Sequence, residues 1–164
     1  MGRRGWSVAA VAVAIAALVV RFQVLDTVTV SSDSMSPTVC TGDTVLLQRL
    51  AGGHQVRVDD IVTFPSPQGG ERAIKRVVAV AGQAVAIADA QLLRDGRAVD
   101  EPYVDHSTID GVYFGPVVVP DGAVFVMGDR RENSIDSRVY GPIPIASLDG
   151  RMLWDPTPGC SSSR

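Results

Sequence analysis

The sequence predicts a mainly β domain carried on one N-terminal transmembrane helix. Three observations lead to this expectation. Residues Gly5–Val20 are uncharged and almost wholly apolar. Beyond them, short runs of Val, Ile and Leu recur between Gly, Pro and Asp, the punctuation of strands and turns. No amphipathic window of helical period follows residue 25.

The apolar segment comes first. Its 16 residues would span about 24 Å as a helix, slightly short of a hydrocarbon core of roughly 30 Å. Arg21 can snorkel, and Phe22, Val24 and Leu25 extend the apolar stretch far enough for a full crossing. Arg3 and Arg4 precede it, and all 18 acidic residues follow it, the first being Asp26. The positive-inside rule therefore places the N-terminus in the cytoplasm and the folded body outside, with residues 1–22 as tip and anchor. A cleavable signal peptide shares this pattern, but no clear cleavage site precedes Arg21.

The body, residues 23–154, offers candidate strands at Thr27–Val30, Thr44–Gln48, Asp60–Phe64, Arg72–Val80, Ala84–Ala88, Val117–Val119 and Ala123–Met127. Between Gln91 and Val99, Asp95-Gly96 is a strong hairpin signal. The stretch Asp100–Val112 is acidic and turn-rich, which suggests an inserted lobe or long loop. Residues 155–164 read as a disordered tail.

Composition narrows the functional classes. A net charge of −3 argues against a nucleic-acid partner. With 46% hydrophobic and 20% charged residues, the chain is not an intrinsically disordered one. Two cysteines cannot build a disulfide framework or a zinc cluster, and neither metal nor cofactor is implied. Cys40 and Cys160 are expected to be structurally incidental, although outside the membrane they are free to pair. Of the 15 basic residues, Lys75 is the single lysine. Arginine stays protonated in proteins, whereas a desolvated lysine can lose its proton.

Alternation along Arg72–Val80 puts Ala73, Lys75, Val77 and Ala79 on one face and Arg76 on the other. Burial among small apolar side chains lowers a lysine pKa, and such an amine can take a proton from a serine hydroxyl. The serine candidates lie in Ser31-Ser-Asp-Ser-Met-Ser-Pro-Thr38, directly after a strand and stiffened by Pro37. The alternative bases, His54 and His106, lie in a flexible turn and in the acidic lobe, and no Gly-x-Ser-x-Gly elbow is present. A third dense segment, Gly128–Arg138, packs charges, hydroxyls and an amide directly after an apolar strand. It suits a polar brace in which Asp and Arg groups pair and Ser134 orients the amine.

Together these segments resemble type I signal peptidases, the Ser–Lys proteases that remove signal peptides from exported proteins. Four family boxes appear in order: Ser32–Thr38, Gly42–Val45, Ala73–Val77, and Gly128–Arg138 continuing to Tyr140-Gly-Pro142. The resemblance implies Ser34 as nucleophile and Lys75 as general base. It implies an oxyanion hole from the Ser34 N–H and the Ser32 hydroxyl, with Ser134 holding the lysine amine. Asp129, Asp136, Arg138 and Arg76 would form structural ion pairs. The implied fold is one of twisted antiparallel sheets, with a small inserted lobe at about residues 85–116. The implied partners are membrane lipid and signal peptides, bound along strand edges. Two departures from the family pattern stand out. Ala79-Val-Ala-Gly-Gln83 replaces the frequent Gly-Leu-Pro-Gly-Asp, and the last box carries Arg130 for Asn and Glu132 for Asp.

Three other readings share some of these features. A self-cleaving Ser–Lys regulator uses the same chemistry but is cytosolic and usually joined to a DNA-binding module. A dedicated maturation protease would act on one exported substrate. A membrane-tethered β domain that binds a partner would leave the three polar segments as unconnected loops.

Overall fold

The computed structural model describes residues 9–15, 24–50, 55–104, 106, 113–153 and 160. Among these residues eleven strands are formed: β1 (Leu25–Thr29), β2 (Thr44–Arg49), β3 (Ile61–Pro65), β4 (Arg72–Val80), β5 (Ala84–Ala88), β6 (Gln91–Arg94), β7 (Arg97–Ala98), β8 (Phe114–Val118), β9 (Ala123–Met127), β10 (Ile143–Pro144) and β11 (Gly150–Met152). Seven make one sheet in the order β1-β2-β11-β3-β4-β9-β10, and four make a second, β7-β6-β5-β8. Every pairing is antiparallel. The expected β class holds.

The small sheet follows from its turn chemistry. Asp95 and Gly96 both have positive φ, 53° and 74°, as a two-residue hairpin of this hand requires. Arg94 and Arg97 therefore face each other directly. Gly115, at φ 77°, passes so close to β5 that a Cβ would collide with the Val85 carbonyl. Val85, Ile87 and Leu92 turn inward and pack on Val78, Ala79, Phe125 and Met127, which joins the two sheets.

β4 organises the large sheet. Residues Arg72–Arg76 pair with β3, and Arg76–Val80 pair with β9 on the other side. The register shifts between Val77 and Ala79. That bulge corrects the expectation that Ala79 shares a face with Lys75. An extra residue reverses the alternation, so Val77 packs with Val62, Phe64 and Val126, whereas Ala79 joins Val78 in the core under the small sheet. β9 ends at Met127, opposite Arg76, so residues 72–75 of β4 have no strand on the β9 side among the described residues.

Residues 9–15 are helical. No helix among the described residues is long and apolar enough to cross a membrane. The rest of the segment expected to form the anchor lies outside the described residues. So do 155–159 and 161–164 of the expected tail, but Cys160 is described. It forms a disulfide with Cys40 across a sequence separation of 120. The cysteines are therefore not incidental: they tie the end of the chain to the loop that follows β1.

Candidate active site

The loop after β1 is held at both ends. Val30 N–H donates to the Asp43 carbonyl and Gly42 N–H to the Val30 carbonyl, both at 2.8 Å. Within it, Ser36 N–H bonds Asp33 O at 2.9 Å and Val39 N–H bonds Met35 O at 2.9 Å. Met35 and Val39 are fully buried, so two apolar anchors press this turn onto the core. Ser34, just ahead of the first anchor, is buried with its hydroxyl 3.3 Å from that of Ser32.

Lys75 reaches the same point from β4. Its Nζ lies 2.7 Å from Ser34 Oγ, and the side chain is buried. Burial strips water from the ammonium and pushes the pKa below the ordinary 10.5 of a lysine. Asp136 and Asp129 pull the other way, and Arg138 adds to the lowering; burial prevails. A neutral amine at hydrogen-bonding distance from a serine hydroxyl can accept its proton.

The segment after β9 closes over this pair. Gly128 passes so near that a Cβ would overlap the Ser134 hydroxyl and come within 2.5 Å of the Ser34 carbonyl. Glycine is the residue that permits this approach. Arg130 N–H donates to that same Ser34 carbonyl at 3.0 Å. Asp136, fully buried, caps the short helix Ser137–Tyr140 through Arg138 N–H, accepts Gly128 N–H at 3.1 Å, and pairs with Arg138 Nη2 at 2.8 Å. Arg76, on the face of β4 opposite Lys75, grips both oxygens of Asp129, at 2.9 Å and 2.7 Å. Asp129 in turn accepts from Thr38 at 2.5 Å, which connects β4, the last box and the serine loop. Arg76 also lies 3.9 Å from the centre of the Tyr103 ring.

With this geometry in hand, the chain can be set beside known proteins. The family model described as signal peptidase, peptidase S26, matches residues 3–154. The chain belongs to the signal peptidase family. It is 39% identical over 148 residues to a probable signal peptidase I-1 of Synechocystis sp., covering 84% of this chain and 74% of that protein. With signal peptidase I V of Bacillus subtilis it shares 33% over 163 residues, covering 92% and 96% of the two chains. Among solved structures, signal peptidase I from Enterococcus faecalis V583 matches 60% of this chain and 97% of its own, with a TM-score of 0.53 and 29% identity.

Within this signal peptidase, the sequence-derived residues converge. Ser32, Ser34 and Lys75 meet at one point, beside a buried ion pair, Arg76–Asp129, and a second between buried Asp136 and half-buried Arg138. Ser134 differs from expectation. Its hydroxyl is buried against Gly128 and has no hydrogen-bond partner among the described residues, so it does not bond the Lys75 amine; that amine is turned to Ser34 instead. His106 contacts the Ala90 carbonyl in the small sheet, while His54 lies outside the described residues. The departures from family pattern are accommodated. Gln83 Oε1 accepts Val80 N–H at 2.9 Å and closes the turn after β4, and Arg130 pairs with Asp33 at 2.6 Å and with Glu132 at 3.1 Å. Sequence reasoning missed Thr38, although it ends the first box. It also missed the buried Arg131–Glu101 pair, for which Glu101 in an acidic stretch gives no local signal.

Proposed function

We propose that this chain is a membrane-bound serine endopeptidase that removes N-terminal signal peptides from exported preproteins, with Ser34 as nucleophile and Lys75 as general base. The observation that carries the reading is the 2.7 Å contact between Lys75 Nζ and Ser34 Oγ. The neutral amine takes the hydroxyl proton as Oγ attacks the scissile carbonyl. The oxyanion that forms is received by Ser34 N–H and the Ser32 hydroxyl. Lys75 then passes its proton to the departing amine, leaving an acyl-serine. It next accepts a proton from water, and the resulting hydroxide frees the signal peptide and restores the serine. The Ser134 hydroxyl, without a hydrogen-bond partner among the described residues, is available to the lysine when Ser34 turns toward substrate. Arg76–Asp129 and Arg138–Asp136 hold the loops that carry these groups.

An open cleft runs from Ser34 along Val28–Ser31 on one side and Arg72–Ile74 on the other. β1 is the edge of its sheet, and residues 72–75 of β4 lack a neighbour on the cleft side among the described residues. Two such edges suit an extended peptide, which adds backbone hydrogen bonds on both flanks. The apolar Gly5–Val20 segment serves as the anchor, N-terminus in the cytoplasm and body outside. The Cys40–Cys160 disulfide supports that topology, because such bonds persist in oxidising compartments.

The test uses the full-length chain in detergent or lipid with a purified preprotein. Wild type should cleave it and be acylated by a serine-directed inhibitor, and Ser34→Ala should lose both properties while keeping its fold. Cleavage by Ser34→Ala at the wild-type rate would overturn the reading.

A further inference from the structure

The cleft beside Ser34 is lined by three charged side chains, Glu71, Arg72 and Lys75, and they are not equivalent. Arg72 is compensated twice: it reaches across the cleft to Asp26 at 3.1 Å and back to Asp149 at 2.9 Å. Asp26 is correspondingly satisfied. Its partial burial opposes ionisation, yet the Arg72 hydrogen bond and charge hold its carboxyl below the ordinary carboxylate range. Lys75 is buried and turned to Ser34, away from the cleft mouth where Glu71 stands. Glu71 has no cationic partner among the described residues; its hydrogen bond is with the neutral Ser31 hydroxyl, at 3.2 Å across the cleft. An exposed carboxylate without a cationic partner among the described residues thus stands at the wall of the cleft.

Resting on the signal-peptidase reading, we propose that Glu71 is a specificity-determining residue that favours preproteins with a Lys or Arg side chain in the extended segment four or five residues before the scissile bond. The position follows from spacing. Glu71 is four residues before Lys75, about 13 Å along a strand, and its carboxylate leans back toward Ser31, three residues before Ser34. In this reading the signal-peptide side of the substrate runs from Ser34 toward Glu71 between β1 and β4. A cationic residue at that level replaces the weak Ser31–Glu71 contact with an ion pair at the cleft mouth. A glutamate there meets like charge. Because Glu71 is exposed, the effect is screened by solvent and salt rather than absolute.

The experiment measures kcat/KM of the full-length enzyme, in neutral-lipid vesicles, for otherwise identical preproteins. These carry Lys, Gln or Glu at each of the positions four and five residues before the cleavage point. Wild type should prefer Lys to Glu by about three- to tenfold at one or more of these positions at low salt. The ratio should shrink toward one at 1 M salt. Glu71→Gln should abolish the preference, Glu71→Lys should invert it, and Ser31→Ala, which removes the contact but not the charge, should retain it. An unchanged Lys-to-Glu ratio in Glu71→Gln, or loss of the ratio in Ser31→Ala, would overturn the inference while leaving the peptidase reading intact. Failure of wild type to cut even the Gln substrates would overturn both.

Discussion

Arg131 and Glu101 meet as a fully buried two-pronged ion pair, with nitrogen–oxygen distances of 2.9 Å and 2.5 Å. Arg131 belongs to the segment that closes over the Ser34–Lys75 pair, and its Nε also donates to the Gly128 carbonyl at 3.0 Å. Glu101 comes from the chain just after β7. The pair therefore connects the region of the small sheet to the site. Removing one partner strands a charge with no water to receive it. Glu101→Ala is expected to lose about 3–5 kcal/mol of stability in chemical denaturation, and a Glu101→Leu/Arg131→Met double variant should recover most of it. A single-variant loss below about 1 kcal/mol would mean that the guanidinium finds another acceptor.

Asp33 and Arg130 form a different kind of pair. Both are about two-fifths exposed, at 42% and 41%, and lie 2.6 Å apart. Such a contact contributes little to stability, about 0–1 kcal/mol. Yet Asp33 adjoins Ser34, whose carbonyl accepts Arg130 N–H. Arg130→Ala is expected to lower kcat several-fold with the melting temperature almost unmoved. The exchange Asp33→Arg/Arg130→Asp should restore part of the loss. Equal falls in stability and activity would point to a merely structural pair.

The Cys40–Cys160 bond closes a loop of 120 residues in sequence separation. Constraining an unfolded loop of that length stabilises a fold by up to about 5 kcal/mol in the chain-entropy account. Wild type should therefore unfold at lower temperature in a dithiol reductant, and Cys40→Ser/Cys160→Ser should match reduced wild type without further response to reductant. A variant as stable as the oxidised protein would contradict this.

Lys75 also predicts how stability changes with pH. Its folded pKa is lower than its unfolded value, so between the two the unfolded chain holds a proton that the native chain has released. Stability from this group therefore rises with pH through that window and is fully penalised below the folded pKa. Lys75→Met removes the penalty. It should be more stable than wild type at low pH, with the advantage fading as pH approaches 10.5. For the same reason the wild-type pH–rate profile should climb to its plateau below 10.5. A constant stability difference across pH would show that the lysine keeps its ordinary pKa.

Much of this architecture is legible in the sequence, for identifiable reasons. Arg72–Val80 and Ala123–Met127 appear with the boundaries their apolar runs suggest, because a central strand must bury both faces. β10 and β11, of two and three residues, carry no period at all. The bulge at Val77/Ala79 leaves no mark in the alternation it breaks, so the alternation alone puts Ala79 on the wrong face. Lys75 stands out as the single lysine, whereas Ser34 is singled out among the four serines of its loop by the family resemblance alone. Thr38 and Glu101 act through partners 91 and 30 residues away, and no local pattern announces such partners. The Cys40–Cys160 pairing is of the same kind: two cysteines fix neither a distance nor a bond.

The central claim is that Lys75 works as a neutral amine beside Ser34. Lys75→Arg tests it most directly, since arginine retains the charge and length but does not give up its proton. The measurement is the initial rate of preprotein cleavage by full-length Lys75→Arg against wild type, with folding checked by circular dichroism. A folded variant slowed on the order of 10³-fold is the predicted result. A folded variant that cleaves at the wild-type rate would contradict the account.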